Sequence, residues 1–329
     1  YVGGQFTTAT DSTGTHRRNH VAAIDASTGR LRAWAPGADG AVWSIAVAGG
    51  DVYLGGNFTR VGDRPRRRLA KVAAGTGAVA GDFVHQVSRN VRAMAVAGGS
   101  LYIGGQFRTV DGQARDRLAA FTLAGGRLRT DWTPSADGTV LGLDAGPADR
   151  IYAGGTYGRI DGRSGSGFAT ALAPGTGEVL SAFDPAISYA VHDLEIAGDV
   201  VYAAADGPGG HLRAFRSDGG DIFDLATDGG VQTVTELGGS IYFGGHFDNV
   251  CRTARAGSAG SCRAGLVNRR KLGAVSPAGD LLAWAPQANS SLGVLTIDGA
   301  AAPARIAVGG AFTRFSGRQI VQPHFAQFG

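Results

Sequence analysis

A six-residue tract of the form Tyr-x-Gly-Gly-x-Phe recurs along the whole chain at intervals of about 50 residues. It occurs, with small changes, at 1–6, 53–58, 102–107, 152–157, 242–247 and 307–312, and a diverged copy occupies 202–207. A repeat of this length indicates one supersecondary unit stacked many times, because a single unit cannot bury its apolar face alone. Seven copies in 329 residues correspond to 47 residues per repeat.

Each repeat contains four short apolar runs, which are clearest at 42–48, 52–58, 69–74 and 78–83. The first three are rich in β-branched and aromatic residues, and clusters of Gly, Asp or Ser separate all four. These patterns predict four strands and no helix per repeat, named a to d from the centre outward. Seven such antiparallel units predict an all-β, seven-bladed β-propeller with four-stranded blades around a central channel. We expect a single domain over residues 1–329, because a closed ring overrides the usual domain length of about 150 residues.

The phase of the strands predicts that one strand a and one strand d are supplied from outside this sequence. The chain begins on a strand b at Tyr1 and ends on a strand c at 324–328. A propeller closes when one terminus completes the blade that the other begins, so we expect about 20 residues upstream of Tyr1 to provide the closing strands. The sequence is therefore expected to be a fragment of a larger protein.

Aromatic residues recur near a fixed phase of strand d, and the glycine pairs of the tract suggest a role for them. Glycine inside a strand usually marks the close approach of another group. We expect the aromatic rings to cover the glycine backbone and to fasten the blades together, with ligand stacking as the less favoured alternative. The rings belong to Trp34, Phe83, Trp132, Phe183, Phe223 and Trp284.

Composition excludes several classes of function. Arg outnumbers Lys by 29 to 2, which is typical of a GC-rich bacterial genome. The net charge of +4 is small, and the Arg residues are scattered, whereas a nucleic-acid-binding protein usually carries a basic stripe. No apolar stretch approaches the roughly 18 residues that a membrane-spanning helix requires. We expect neither a nucleic-acid partner nor a membrane span.

Two cysteines, Cys251 and Cys262, lie in one long insertion over 248–270 that is rich in Gly, Ser and Ala. They predict a local disulfide that closes a ring of about a dozen residues and indicates an oxidising, extracellular compartment. A two-Cys metal site is the alternative, but the loop offers no further ligand.

Catalytic and cofactor motifs are not evident in the sequence. The seven His residues show no metal-binding spacing, and neither a Gly-x-Ser-x-Gly elbow nor a Gly-Lys phosphate loop occurs. Asp39, Asp137 and Asp228 recur at one phase before strand a, and Asp111 and Asp161 recur at another. Asp before Gly is common in tight turns, so we expect turn residues; an ion or ligand at the channel mouth is the alternative. We expect no catalytic residue, metal or cofactor.

Loop variability indicates which face binds a ligand. The a–b and c–d turns are short and uniform, whereas the b–c and d–a connections vary in length and content. Binding residues concentrate on variable loops held by a rigid scaffold, so we expect binding at the face formed by these connections, the b–c/d–a face. Trp43, Arg92 and His192 occupy the second position of strand a near the channel mouth, and we assign Leu141, Gln232 and Gly293 to it in other repeats. The remaining candidate ligand residues are Asp39, Arg64, Arg66, His85, Arg89, Arg115, Asp137, Arg163 and Tyr189, each with a plain solvated role as its alternative.

The segment Val-Tyr-Leu-Gly-Gly-Asn-Phe-Thr-Arg-Val-Gly-Asp at 52–63, followed by Arg-Leu-Ala-Lys-Val at 68–72, resembles the delta-60 type β-propeller repeats of secreted bacterial proteins. The segments 22–31 and 171–179 are similar to quinoprotein-like repeats, in which an apolar-Asp-x-x-Thr-Gly run precedes Trp. The resemblance covers the whole chain and implies blade architecture, with no catalytic residue carried over. The diverged fifth copy and the Cys-bearing insertion depart from the pattern.

A rigid ring with one variable face and no catalytic constellation predicts a secreted, non-enzymatic recognition module. We expect lectin-like glycan binding or protein docking, within a larger secreted protein or assembly. The alternative is a secreted enzyme at the channel mouth, either a polysaccharide lyase or hydrolase or a quinoprotein-like oxidoreductase. A glycosidase needs two carboxylates about 5–9 Å apart, and we expect Asp39 and Asp137, two repeats apart, to be more widely separated.

Overall fold

The structure is a computed structural model, and it describes residues 1–147, 150–164, 168–254, 262, 264–316 and 319–329. Within these ranges the regular elements are β-strands, and no α-helix occurs. The same ranges therefore contain no helix with the length and apolarity needed to cross a membrane. The all-β prediction is confirmed.

Strands a, b and c of successive repeats follow the predicted order. The strands a are β5 (Val42–Ala48), β10 (Val91–Ala97), β15 (Val140–Ala145), β20 (Val191–Ala197), β24 (Val231–Leu237) and β29 (Val294–Ala301). The strands b are β1 (Val2–Gly3), β6 (Asp51–Gly56), β11 (Ser100–Gly105), β16 (Ile151–Gly155), β21 (Val200–Gly207), β25 (Ser240–Gly245) and β30 (Ala304–Gly310). The strands c are β4 (Val21–Ala22), β9 (Leu69–Ala73), β14 (Leu118–Thr122), β19 (Ala169–Leu172), β22 (Gly209–Arg216), β28 (Leu272–Val275) and β33 (Phe325–Phe328).

Within each repeat the strands pair in the order a–b–c. The sheets are β5-β6-β9, β10-β11-β14, β15-β16-β19, β24-β25-β28 and β29-β30-β33, while β1 pairs with β4. The fifth repeat forms the ladder β20-β21-β22-β23, with β23 at Asp221–Thr227 as its strand d.

The prediction of four full strands in every blade is wrong for the other repeats that the structure describes. There strand d is reduced to a single bridge to strand c, as in the pair Val72–Val79. The segment 78–83 offers Ala, Gly and Asp, which are poor strand formers, whereas 221–227 contains Ile, Phe and Thr, which are good ones. The equivalent bridges are Ile24–Leu31, Phe121–Leu128, Leu172–Val179 and Val275–Leu281.

Short hairpins extend most of the b–c connections. They are β2 (Thr8–Asp11) with β3 (Gly14–Arg17), β7 (Arg60–Val61) with β8 (Arg64–Pro65), β12 (Thr109–Val110) with β13 (Gln113–Ala114), β17 (Arg159–Ile160) with β18 (Arg163–Ser164), β26 (Asn249–Cys251) with β27 (Leu266–Asn268), and β31 (Arg314–Phe315) with β32 (Ile320–Val321). In the fifth repeat the ladder runs directly into a tight turn, where Gly207 faces Gly209. The fifth repeat therefore lacks the extension that its neighbours carry.

The two glycines of the tract serve different contacts. A Cβ on the first, Gly104, would lie 2.5 Å from Cγ1 of Val140, which opens strand a of the next repeat. A Cβ on the second, Gly105, would collide with the backbone carbonyl of Asn90, just before its own strand a. The close approach predicted for these glycines is confirmed, and it joins sheet to sheet.

The strand d aromatics do not cover those glycines, so that expectation is corrected. Trp34 donates from Nε1 to the carbonyl of Ala73 at 2.9 Å, in the next repeat. A Cβ on Gly126, in the c–d turn of the following repeat, would lie 2.7 Å from the Phe83 ring. The aromatics thus fasten consecutive repeats through the c–d turns, because valines and carbonyls already fill the space over the tract glycines.

The chain divides into two compact units. Unit 1 contains Tyr1–Ala153, Tyr157–Ser164 and Ala171–Val179, and unit 2 contains Gly154–Thr156, the described part of 165–170 and Leu180–Gly329. In unit 2, Cys251 and Cys262 form the predicted disulfide, and Cys251 is buried in an apolar core.

Candidate functional site

The second residue of strand a stands on a β-bulge at the end of the strand that carries the b–c and d–a connections. In the second repeat Val42 pairs with Gly56 and Ser44 pairs with Gly55, so Trp43 has no opposite residue. Bulges re-aim a side chain and are common beside binding sites. The same register shift isolates Arg92, His192, Gln232 and Leu295.

This register corrects one sequence assignment. Gly293 lies just before the strand, and Leu295 holds the bulge position of the seventh repeat, because Val294 pairs with Gly310 as Val42 pairs with Gly56. Each strand a begins with a valine. Aligning the repeats on that valine would have placed Leu295, and not Gly293, at the second position of the strand. Leu141 holds the second position of β15, as expected.

Trp43 and Arg92 come together in unit 1, on the bulges of neighbouring strands. The Arg92 guanidinium carbon lies 4.9 Å from the centre of the Trp43 ring. Both side chains are partly buried, and burial lowers the pKa of Arg92. Within the described residues Arg92 has no hydrogen-bond or ion-pair partner, and the buried Nε1 of Trp43 has none either. Arg92 therefore keeps N–H donors that no described group of the protein accepts, whereas the Trp43 N–H is closed to solvent.

Further arginines surround the start of β10. Arg68 donates from Nη1 to the carbonyl of Val87 at 3.0 Å, and burial together with the charges of Arg67 and Arg89 lowers its pKa. Arg89 is exposed in the d–a connection. Arg67, Arg68 and Arg89 thus lie near one another in this part of unit 1, and sequence reasoning named Arg89 but not Arg67 or Arg68.

Unit 2 places histidines and carboxylates at the corresponding end of β20. His192 Nε2 lies 2.9 Å from Asp206 Oδ2, an ion-pair distance whose angles are not those of a hydrogen bond. The candidate Tyr189 is 40% exposed and stacks on the buried His211, with the two rings 10° from parallel. His211 in turn places Nδ1 2.7 Å from Asp224 Oδ1. These groups lie beside the tight turn of the fifth repeat.

Two candidate arginines have structural partners. Arg66 and Arg115 are 5% and 7% exposed. Arg115 donates to the carbonyls of Ala114 and Arg129, and Arg66 donates to those of Pro65 and Ala80. They tie the end of the b–c connection to strand d, and their guanidinium groups are not directed at solvent.

Asp39 and Asp137 clamp the b–c connection to the d–a connection. Asp39 Oδ1 accepts from the backbone N–H groups of Thr59 at 2.7 Å and Arg60 at 2.9 Å, about 20 residues along the chain. Asp137 accepts in the same way from Gly158 and Arg159. We expected each aspartate to bond the backbone of its own turn. Instead it bonds the backbone of the b–c connection, so that expectation is corrected. Burial acts to raise the pKa of Asp39, but the hydrogen bonds from Thr59 and Arg60 outweigh it and hold the pKa below its ordinary value.

The second set of aspartates joins the same two connections, but here the aspartate lies in the b–c connection and its partner lies in the d–a connection. Asp111 and Asp161 have positive φ angles at the hairpin tips and accept from the backbone N–H groups of Gln86 and Ser135. His85 places Nδ1 2.6 Å from Asp111 Oδ2 and Nε2 2.8 Å from the carbonyl of Gly126. Both nitrogens of this candidate therefore face acceptors within unit 1.

Two equivalent clefts open beside these clamps in unit 1. The first, about 420 Å³, is lined by Asp39 and Arg60 among others, and the second, about 450 Å³, by Asp137 and Arg159. The other loop candidates, Arg64 and Arg163, are exposed on the hairpin strands β8 and β18 and line neither cleft.

Metal ligands do not assemble in the part of the chain that the structure describes. No group of three or more His, Cys, Asp or Glu side chains there could hold a metal ion.

Neither a protein-family model nor a curated protein matches the sequence. Solved structures do match in fold. U3-55K has a TM-score of 0.58 at 14% identity, covering 92% of this chain and 86% of that one. The WD40 β-propeller domain of Doa1 has a TM-score of 0.51 at 13% identity, covering 82% of this chain and 76% of that one. The fold is β-propeller-like. A computationally designed protein, Ika8, is also similar, with a TM-score of 0.55 at 11% identity over 99% of this chain and 97% of that one.

At such low identities the likeness concerns the propeller-like fold and carries no function. The bulge residues of this propeller-like chain therefore have to be interpreted from their own chemistry.

Proposed function

We propose that the repeats close into one seven-bladed propeller over residues 1–329 and that its b–c/d–a face binds an extracellular glycan without catalysis. The seven tract copies and the fold likeness over most of the chain support the ring. The disulfide supports an oxidising, extracellular setting, in a larger secreted protein or assembly.

One observation carries the proposal: the bulge position holds Trp, Arg, His, Gln or Leu in different repeats, while the aspartates that recur have structural partners. Trp43 and Arg92 share that position with His192, Gln232 and Leu295. A different side chain at the bulge of each rigid strand a gives the b–c/d–a face a specific pattern of binding groups.

Unit 1 favours a glycan over a protein. The large apolar side chains that its described residues expose are Tyr1, Val47 and Val84, and Val47 lies at the far end of β5 from Trp43. A protein interface requires a desolvated apolar centre, whereas a polar rim with one aromatic side chain suits a sugar.

Glycan-array binding of the whole chain, followed by calorimetry of the best ligand, tests the proposal. Trp43→Ala should abolish most of the affinity, whereas Val47→Ala, at an exposed position on the same strand, should leave it unchanged. Absence of any glycan ligand, or an equal loss in both variants, would overturn the proposal.

Protein docking is the second candidate, favoured by the seventh repeat in unit 2. Leu292 and Leu295 are 66% and 52% exposed, and Ile320 and Val321 on β32 are 55% and 62% exposed. Capture of a defined extracellular protein that Leu295→Ser weakens, with no effect of Trp43→Ala, would replace the glycan proposal with this one.

A further inference from the structure

Arg92 is a partly buried cation for which the described part of the chain supplies no anion. Its pKa is lowered by burial, with no carboxylate among the causes. The carboxylates of Asp39 and Asp111 are already bound, to the N–H groups of Thr59 and Arg60 in one case and to His85 in the other. Burying a charge without a partner costs free energy. An anion from outside the chain that pairs with the Arg92 guanidinium would offset that cost.

Trp43 orients that cation without consuming its donors. The guanidinium carbon of Arg92 lies over the indole ring, so this contact uses none of its N–H donors, which lie in the guanidinium plane. Those in-plane donors match the two oxygens of a carboxylate in a bidentate pair. The 4.9 Å contact therefore prepares Arg92 for a planar anion.

Other arginines lie near the start of β10, the strand that carries Arg92. Arg67 and Arg89 act on Arg68 closely enough to lower its pKa, and Arg68 reaches the carbonyl of Val87 just before β10. A positive field at the mouth of a site raises the local concentration of anionic ligands. A neutral sugar would gain nothing from this arrangement.

We propose that Arg92, held over Trp43, binds the carboxylate of an acidic saccharide of the uronic-acid type on the b–c/d–a face. The proposal rests on the glycan-binding function proposed above and names its ligand class. The part of the Trp43 side chain that the guanidinium leaves uncovered supplies apolar surface for the sugar ring, which a simple carboxylate would not use.

Calorimetry of the whole chain with trigalacturonate and with its methyl ester provides the first test. The ester keeps the sugar rings and removes the charge. We expect the acid to bind about 10- to 100-fold more tightly, as loss of charged hydrogen bonds implies. Equal affinity for acid and ester would overturn the inference. A tripeptide with a free carboxylate serves as the other source of this group, and peptide binding as tight as that of trigalacturonate would also overturn it.

Variants distinguish binding at Arg92 from nonspecific attraction of an anion to a positively charged protein. Arg92→Gln should weaken trigalacturonate binding at least tenfold and leave binding of the ester unchanged. Arg92→Lys should recover only part of the loss, because an ammonium lacks the planar pair of donors. Arg127→Gln removes the same charge from an exposed position in unit 1 and should change little. Equal losses for Arg92→Gln and Arg127→Gln would overturn the inference.

The two proposals fail separately. Binding of neutral glycans that is lost in Trp43→Ala but unaffected by Arg92→Gln would remove the acidic-saccharide inference and leave the glycan-binding function intact. A chain that binds neither acidic nor neutral glycans would remove both.

Discussion

Arg115 Nη2 donates a hydrogen bond to the backbone carbonyl of Arg129, 14 residues further along the chain, at 3.1 Å. Arg18 makes the same contact with Arg32 at 2.8 Å, and Arg269 makes it with Leu282 at 3.1 Å. These arginines bond the segment at strand d, which otherwise makes only a single backbone bridge to strand c. Much of the arginine content thus serves architecture.

Replacing Arg115 with Met should lower the free energy of unfolding by about 1–3 kcal/mol, because the carbonyls of Ala114 and Arg129 lose a charged donor. Arg127→Met, at an exposed position in the same unit, should have little effect. Denaturant unfolding measures both, and hydrogen exchange at the Arg129 amide, which bonds to Ala120, should quicken in Arg115→Met alone. Equal stabilities would show that the arginine contact is dispensable.

Gly104→Ala should destabilise the chain by about 1–3 kcal/mol, because the new methyl group lies 2.5 Å from Val140 Cγ1 and forces the sheets apart. Gly75→Ala is the matched control, since nothing lies within 4 Å of its Cβ position. Thermal unfolding of both variants checks this. A Gly104→Ala melting temperature equal to that of Gly75→Ala would contradict the packing role. The diverged fifth copy carries Ala204 at this position, so the cost should be moderate.

Acid should destabilise the chain through the aspartate clamps. For Asp39 and Asp228, burial acts to raise the pKa, but hydrogen bonds to the carboxylate prevail and lower it below its ordinary value. A folded pKa below the unfolded value of about 3.9 gives stability that is present above that pH and lost as pH falls through the folded pKa. The melting temperature should therefore fall from about pH 5 downward.

The variant Asp39→Asn, combined with Asp228→Asn, should show a smaller fall over the same pH range. Asparagine fits this place, because Asn289 Oδ1 accepts from the N–H groups of Thr313 and Arg314 in the seventh repeat. Melting temperatures from pH 7 to pH 3 measure the difference. A parallel fall in both proteins would assign the acid sensitivity to other groups.

Reduction of the Cys251–Cys262 disulfide, which spans 11 residues, should cost roughly 2–3 kcal/mol of stability. Unfolding with and without a thiol reductant measures this, and the double variant Cys251→Ser, Cys262→Ser should be insensitive to the reductant. No shift in the wild-type protein would mean that the loop adds no constraint to the unfolded chain.

The sequence by itself determined the repeat, the all-β class, strands a to c, the variable connections and the disulfide. These features are local, since alternation of apolar residues and the Gly-rich turns act over a few positions. Strand β5 at Val42–Ala48 begins and ends as predicted.

Tertiary structure alone decided what the polar residues do. Asp39 binds backbone N–H groups about 20 residues away, Arg66 reaches a carbonyl 14 residues away, and the bulge turns Trp43 toward Arg92 in the next repeat. A charged side chain has the same local signature whether it meets solvent, a ligand or a buried carbonyl. Its partner is fixed only when separate strands pack, because a long side chain bonds whatever acceptor the neighbouring sheet brings within about 3 Å.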